Sequence, residues 1–165
     1  MDAIEQNLAN WKASLVQNIP VGGLITRNPV VYKWMSPFRC WVLREAALWR
    51  QHDLMAQSIA LHRQGHGLGA LILLRSGLET LATLFYLNHI MRQVLDGKLD
   101  FHDFNGKTSA LAGGSRDGTT GWPAVNVLTM LDQADKRHPG IRELYDDLSE
   151  SAHPNWEGLF RGYSK

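Results

Sequence analysis

Arg75 and Glu79 stand four residues apart within residues 68–87, a stretch that is otherwise mostly apolar. On a helix this spacing points both side chains the same way, so the guanidinium and the carboxylate can meet. A charged pair inside an apolar helix costs several kcal/mol of desolvation per ion unless both partners are well satisfied. Two roles fit: a structural ion pair that fixes how neighbouring helices pack, or the wall of a polar pocket. In a pocket the arginine would offer a permanent cation and a planar fork of donors to a phosphate or carboxylate. His89 falls on the same face two to three turns further on and reads as a partly exposed residue near a helix end.

A second group lies in residues 145–156, YDDLSESAHPNW. At 100° per residue Arg142, Asp146, Ser149 and His153 share one face, and Leu144, Leu148 and Ala152 share another, so one side packs and the other is polar. Pro154 ends the helix near His153, because the residue before a proline avoids the helical conformation. His153 then sits where unpaired carbonyls favour a cationic imidazole, and Asn155 follows just outside. Both residues also fit the plainer task of capping the helix and holding the turn. An imidazole beside an arginine supplies a general acid or base next to an anion-stabilising cation.

Three weaker patterns carry no chemistry by themselves. Gly106-Lys107-Thr108 imitates the end of a phosphate-binding loop, but position 101 is Phe where that loop needs Gly, and no strand precedes it. Glu150 and His153 have the spacing of a carboxylate-bridged di-metal bundle, which would need a second copy and two more glutamates on other helices. Residues 31–66 hold Lys33, Arg39, Arg44, Arg50 and Arg63 with three histidines against Glu45 and Asp53, whereas residues 132–150 hold six acids against three bases. Such asymmetry either marks an RNA-facing side or is a solvated helix surface.

The elements that must position these groups follow from apolar spacing. Ile4, Leu8, Trp11 and Leu15 predict a short first helix ending before Pro20, and residues 18–35 an extended arm anchored by Val30, Val31 and Trp34. Ser36 as cap and Pro37 in the first turn open a second helix to about Gln64, with a stripe of Trp41, Leu48, Met55 and Ile59 that also carries Glu45 and His52. Gly65 supplies a left-handed stop. A third helix over residues 67–95 is apolar nearly all round and is expected to be the central, most buried element. Residues 96–122, with glycines at 97, 106, 113, 114, 118 and 121, read as one long mobile loop. Pro123 and Pro139 then open two further helices. The expectation is a single all-α domain over residues 1–165: a bundle of about five helices, with a long antiparallel hairpin at residues 36–95, the loop at 96–122 and C-terminal helices at 123–165.

Composition narrows the class. The chain has 165 residues, 44% hydrophobic and 20% charged, which is globular and long enough for a real core. One cysteine, Cys40, allows neither an intrachain disulfide nor a cysteine-rich zinc site, and a net charge of +1 gives no bulk attraction for nucleic acid. No metal or cofactor is implied. Asp2, Glu5 and Lys12 interrupt the N-terminal segment, so no export signal is expected, and Arg75 and Glu79 argue against a membrane span at 68–87. A cytoplasmic location is the expectation.

Residues 65–87, GHGLGALILLRSGLETLATLFYL, together with YDDLSESAHPN, resemble bacterial helical proteins of HEPN-like type. The resemblance covers roughly residues 39–155. Members carry an Arg and a Glu one turn apart on a central helix and a Ser and a His-Pro near the end of a later one. It implies a helical bundle, often a homodimer, and for active relatives a metal-independent ribonuclease in toxin–antitoxin or phage-defence systems. The active motif is an Arg, four to six intervening residues, then a His, and the positions that would hold the Arg are here Asp146, Asp147 and Leu148. That departure favours a non-catalytic module that binds nucleotide, RNA or a partner protein, with Arg142, Ser149 and Asn155 as binding residues. The alternative is a ribonuclease in which His153 is the acid or base, Arg75 stabilises the phosphoryl charge and Glu79 stands beside it. A third reading makes all these polar residues structural. Trp156, Leu159, Phe160 and Tyr163 have no later element to cover them, and a symmetric dimer is expected to bury part of that tail.

Overall fold

Asp2 opens the first helix, α1 (Ala3–Ser14), through a capping box: its carboxylate accepts from the Glu5 backbone N–H, and the Glu5 carboxylate accepts from the Asp2 N–H. The computed structural model describes residues 2–19 and 35–161, apart from the side chains of Glu157 and Arg161. The arm expected over residues 18–35, with its anchors Val30, Val31 and Trp34, lies almost wholly outside the described residues. α1 is held to the second helix by Arg63, which pairs with both Asp2 and Glu5, and by the His52 ring, which meets the Leu8 carbonyl at 3.2 Å.

Pro37 stands in the first turn of α2 (Ser36–Arg63), as its fixed φ favours. Ser36 is not the cap; it is the first helical residue, and its hydroxyl reaches Asn105 Oδ1 at 2.8 Å. The expected stripe also shifts. Trp41 is exposed and Leu48, Met55 and Ile59 are half-buried, while Cys40, Val42, Ala47 and Leu54 go inside together with Glu45 and His52. Burial pushes the Cys40 thiol up to about 11, against the pull of the Arg39 charge, so it stays protonated and inert at neutral pH.

Gly65, at φ +80°, turns the chain after α2: its N–H bonds the His62 carbonyl and the His66 N–H the Leu61 carbonyl, the double closure of a Schellman motif. The third helix, α3 (Gly67–Leu95), therefore returns antiparallel to α2. Ser58 bonds the Ala70 carbonyl near the turn, Arg50 meets Thr80 midway, and Cys40 packs against Leu87 and Ile90 at the far end. α3 is central, touching α2 and three later helices. It is not the most buried element, because among the described residues no element covers the side carrying Leu68, Leu71 and Ile72; α2 places more residues inside. By length and composition α3 would also suffice to cross a membrane.

Residues 101–113 form a helix, α4 (Phe101–Gly113), where the glycine count had predicted part of a loop. Asp100 caps it by accepting from the His102 and Asp103 N–H groups, and Phe104, Asn105, Thr108 and Ser109 are buried. Tertiary burial outweighs the roughly 1 kcal/mol that Gly106 costs the helix relative to alanine. A Cβ at Gly106 would meet nothing within 4 Å, whereas one at Gly114 would lie 2.4 Å from the Ala110 carbonyl oxygen and 2.7 Å from that of Pro123. Gly106→Ala should therefore raise stability by about 0.5–1 kcal/mol, and Gly114→Ala should lower it by about 1–3 kcal/mol. Opposite shifts in melting temperature would verify this; equal shifts would refute it.

The remaining irregular stretch, 114–126, is cross-tied by Ser115 N–H to the Trp122 carbonyl and by Thr120 to the Ser115 hydroxyl. Pro123 does not open a helix. Asn126 does so, capping α5 (Val127–Asp135) by accepting from the Leu128 N–H. The last long helix, α6 (Ile141–Ala152), follows Pro139 and Gly140 and ends where Pro154 requires, with His153 extended at ψ 146°. A short π-helical turn, Glu157–Arg161, completes the described chain. Leu78 and Ala82 of α3, Met130 and Leu131 of α5, and Tyr145 and Leu148 of α6 form one core. Leu144, expected to pack, is exposed instead, because α6 turns Tyr145 and Leu148 inward. Among the described residues there is no strand, and the all-α bundle is established with six α-helices.

Candidate functional site

The ion pair on α3 meets the polar face of α6. Arg75 Nε donates to Ser149 Oγ at 2.9 Å and Nη2 to the Tyr145 hydroxyl at 2.7 Å, while Nη2 lies 3.4 Å from Glu79 Oε1. Tyr145 in turn donates its proton to Glu79 Oε1 at 3.0 Å, and Ser149 donates to the Tyr145 carbonyl at 2.8 Å. The Arg75 guanidinium carbon is 4.9 Å from the centre of the Tyr145 ring, a cation–π distance. Four side chains thus close one network between α3 and α6. The Arg75 and Glu79 side chains are 31% and 33% exposed, so neither ion bears the full desolvation expected of a buried pair.

Tyr145 is the member that the polar face of Arg142, Asp146, Ser149 and His153 does not include. Its ring is in the core, and a buried tyrosine hydroxyl needs a partner. The available signal was its position four residues before Ser149, opposite a second polar pair of the same spacing. Burial, followed by the hydrogen bond to Glu79, raises the Tyr145 pKa above 10.0. A raised folded-state pKa adds stability that is whole below the unfolded value and is lost as pH rises through the folded value. Unfolding free energy should therefore drop above about pH 10. The corresponding slope should shrink in Tyr145→Phe; denaturant titrations across this range showing identical slopes for the two proteins would contradict the assignment.

Among the described residues the side chains of the other expected site residues make no hydrogen bond or ion pair with this network. His153 is exposed at the end of α6, and its ring makes no hydrogen bond or ion pair among the described residues. Arg142 turns away to Asp132 at 2.8 Å and Asp146 at 3.0 Å. Asn155 donates to Glu150 at 2.6 Å and accepts from the Gly158 N–H, so it caps the π-helical turn. Only Arg75, Glu79 and Ser149 of the expected residues come together.

The weaker patterns also resolve. Residues 106–108 lie inside α4, and Thr108 accepts from buried Arg39, so no phosphate loop exists there. No group of three or more metal-ligating side chains occurs among the described residues. Of the basic residues on α2, Arg39 is buried, Arg44 pairs with Glu45 and Arg63 pairs with α1, which leaves Arg50 without a carboxylate among the described residues; Lys33 lies outside them. Comparison of the chain with protein-family models, curated proteins and solved structures finds no match.

Proposed function

We propose that this chain is a non-catalytic, HEPN-like module that binds RNA or a nucleotide at the Arg75 face and serves a regulatory role in the cytoplasm, as part of a toxin–antitoxin or phage-defence system. The reading rests on the Arg75 guanidinium. Ser149, Tyr145 and Glu79 hold one edge of its fork, while Nη1 has no partner among the described residues. A fixed, partly exposed fork with donors left over is suited to a phosphate oxygen. His153 supports the non-catalytic side, since it has no hydrogen-bonded link to Arg75 or Glu79, and a general acid needs positioning near the reacting group.

The test is to mix the purified chain with single-stranded RNA and transfer RNA, with and without divalent metal. Salt-sensitive binding without cleavage supports the proposal. Cleavage above background that His153→Ala removes would replace it with the ribonuclease reading, and absence of binding would overturn both. We propose also that the module is a homodimer. Trp156, stacked on Phe160 at 4.7 Å, is 72% exposed, and Leu159 and Phe160 are exposed beside it. Sedimentation should give a dimer at micromolar concentration, and Trp156→Glu should shift it to monomer.

A further inference from the structure

We propose that the cleft between α2, α3 and α5 is a second binding site, for a small molecule that carries both an anionic group and an N–H donor on an apolar body. The cleft has a volume of about 390 Å³, within the range of small-ligand sites. Leu43 and Ala46 from α2 and Val127 and Met130 from α5 give it apolar walls, and Arg50 and Glu79 supply its two charges.

Arg50 is tethered through Nε to Thr80 Oγ1 at 3.1 Å, which orients the side chain and leaves both terminal nitrogens without partners among the described residues. Arg44, Arg63, Arg75 and Arg142 each have a carboxylate; Arg50, like Arg92, Arg116 and Arg137, has none among the described residues. Glu79 lends Oε1 to Tyr145 and Arg75, while Oε2 has no partner among the described residues. Although they line one cleft, Arg50 and Glu79 do not pair with each other. The hydroxyl protons of the two threonines that also line the cleft are already committed, Thr80 to the Ser76 carbonyl and Thr83 to the Glu79 carbonyl, so the two charges set the polar selectivity.

An arginine fork selects carboxylate or phosphate, and an ionised carboxylate only accepts, so it selects an N–H. With apolar walls in the same cleft, the pair reads both polar groups of one ligand. An amino acid and a nucleoside monophosphate share this chemistry. The site does not rest on the RNA reading, since neither Arg50 nor the α2 and α5 walls belong to the Arg75 face. Where both sites are filled, Glu79 joins them, and the two ligands would alter each other's affinity reciprocally.

Calorimetric titration of the full chain with the common amino acids, and separately with AMP, GMP, CMP and UMP, tests this. Binding by the first panel identifies a carboxylate ligand and binding by the second a phosphate ligand. Arg50→Gln should weaken the bound member at least about tenfold. Ala46→Phe, which fills the cleft from an exposed position on α2, should do the same without touching either charge. Circular dichroism checks that both surface variants remain folded. The proposal is overturned if no member of either panel binds at about 10 mM, or if both variants retain wild-type affinity.

Discussion

Arg75→Ala should reduce RNA or nucleotide binding below detection while lowering stability by only about 1–2 kcal/mol. The alanine removes the Nη1 donors on which the proposed phosphate contact rests, together with the bonds to Ser149 and Tyr145. Little collapses in its absence. Ser149 still donates to the Tyr145 carbonyl, Tyr145 still donates to Glu79, and the third-exposed Glu79 carboxylate keeps access to water. This partial exposure is why the cost falls below the several kcal/mol expected for an ion stranded in an apolar helix. Arg75→Lys should bind weakly, because an ammonium keeps the charge but not the fork that spans Ser149 and Tyr145 together. His153→Ala should leave stability within about 0.5 kcal/mol of wild type, as its exposed ring makes no hydrogen bond or ion pair among the described residues. Filter binding and calorimetric melting measure both quantities; wild-type affinity in Arg75→Ala would remove the basis of the functional proposal.

The largest loss of stability is expected from Leu131→Ala, at about 3–5 kcal/mol. Leu131 is fully buried among Leu78, Ala82, Tyr145 and Leu148, where α5 closes against α3 and α6. Deleting its side chain opens a cavity beneath the tyrosine that positions Arg75. For a chain of this size each kcal/mol moves the melting temperature by about 2–4 °C, so a fall of roughly 10 °C is expected. Leu144→Ala, one turn before Leu148 on the exposed side of α6, should change stability by less than about 0.5 kcal/mol. Thermal melts of the two variants decide the matter: similar losses would mean that α6 presents the face bearing Leu144 to the core.

Local chemistry determined much of this protein from the sequence alone. Pro37 fixed the start of α2, Gly65 the turn into α3, and Pro154 the end of α6, because each acts on its own backbone torsions without help from distant residues. The meeting of Arg75 with Glu79 followed likewise from helical geometry. Tertiary structure decided everything that depended on which helix faces which. It made a helix of residues 101–113 by burying Asn105 and Thr108 against Ser36 and Arg39, a stabilisation invisible in a glycine count. It turned Tyr145 toward Arg75 while leaving Leu144 in solvent, a rotation of α6 that either apolar edge of its sequence permits. It also drew Arg142 away to Asp132, ten residues earlier on another helix, and left His153 exposed at the end of α6 without a hydrogen bond to Arg75 among the described residues. Periodicity specifies which residues share a face, whereas only the packing of α3 against α6 specifies what that face meets.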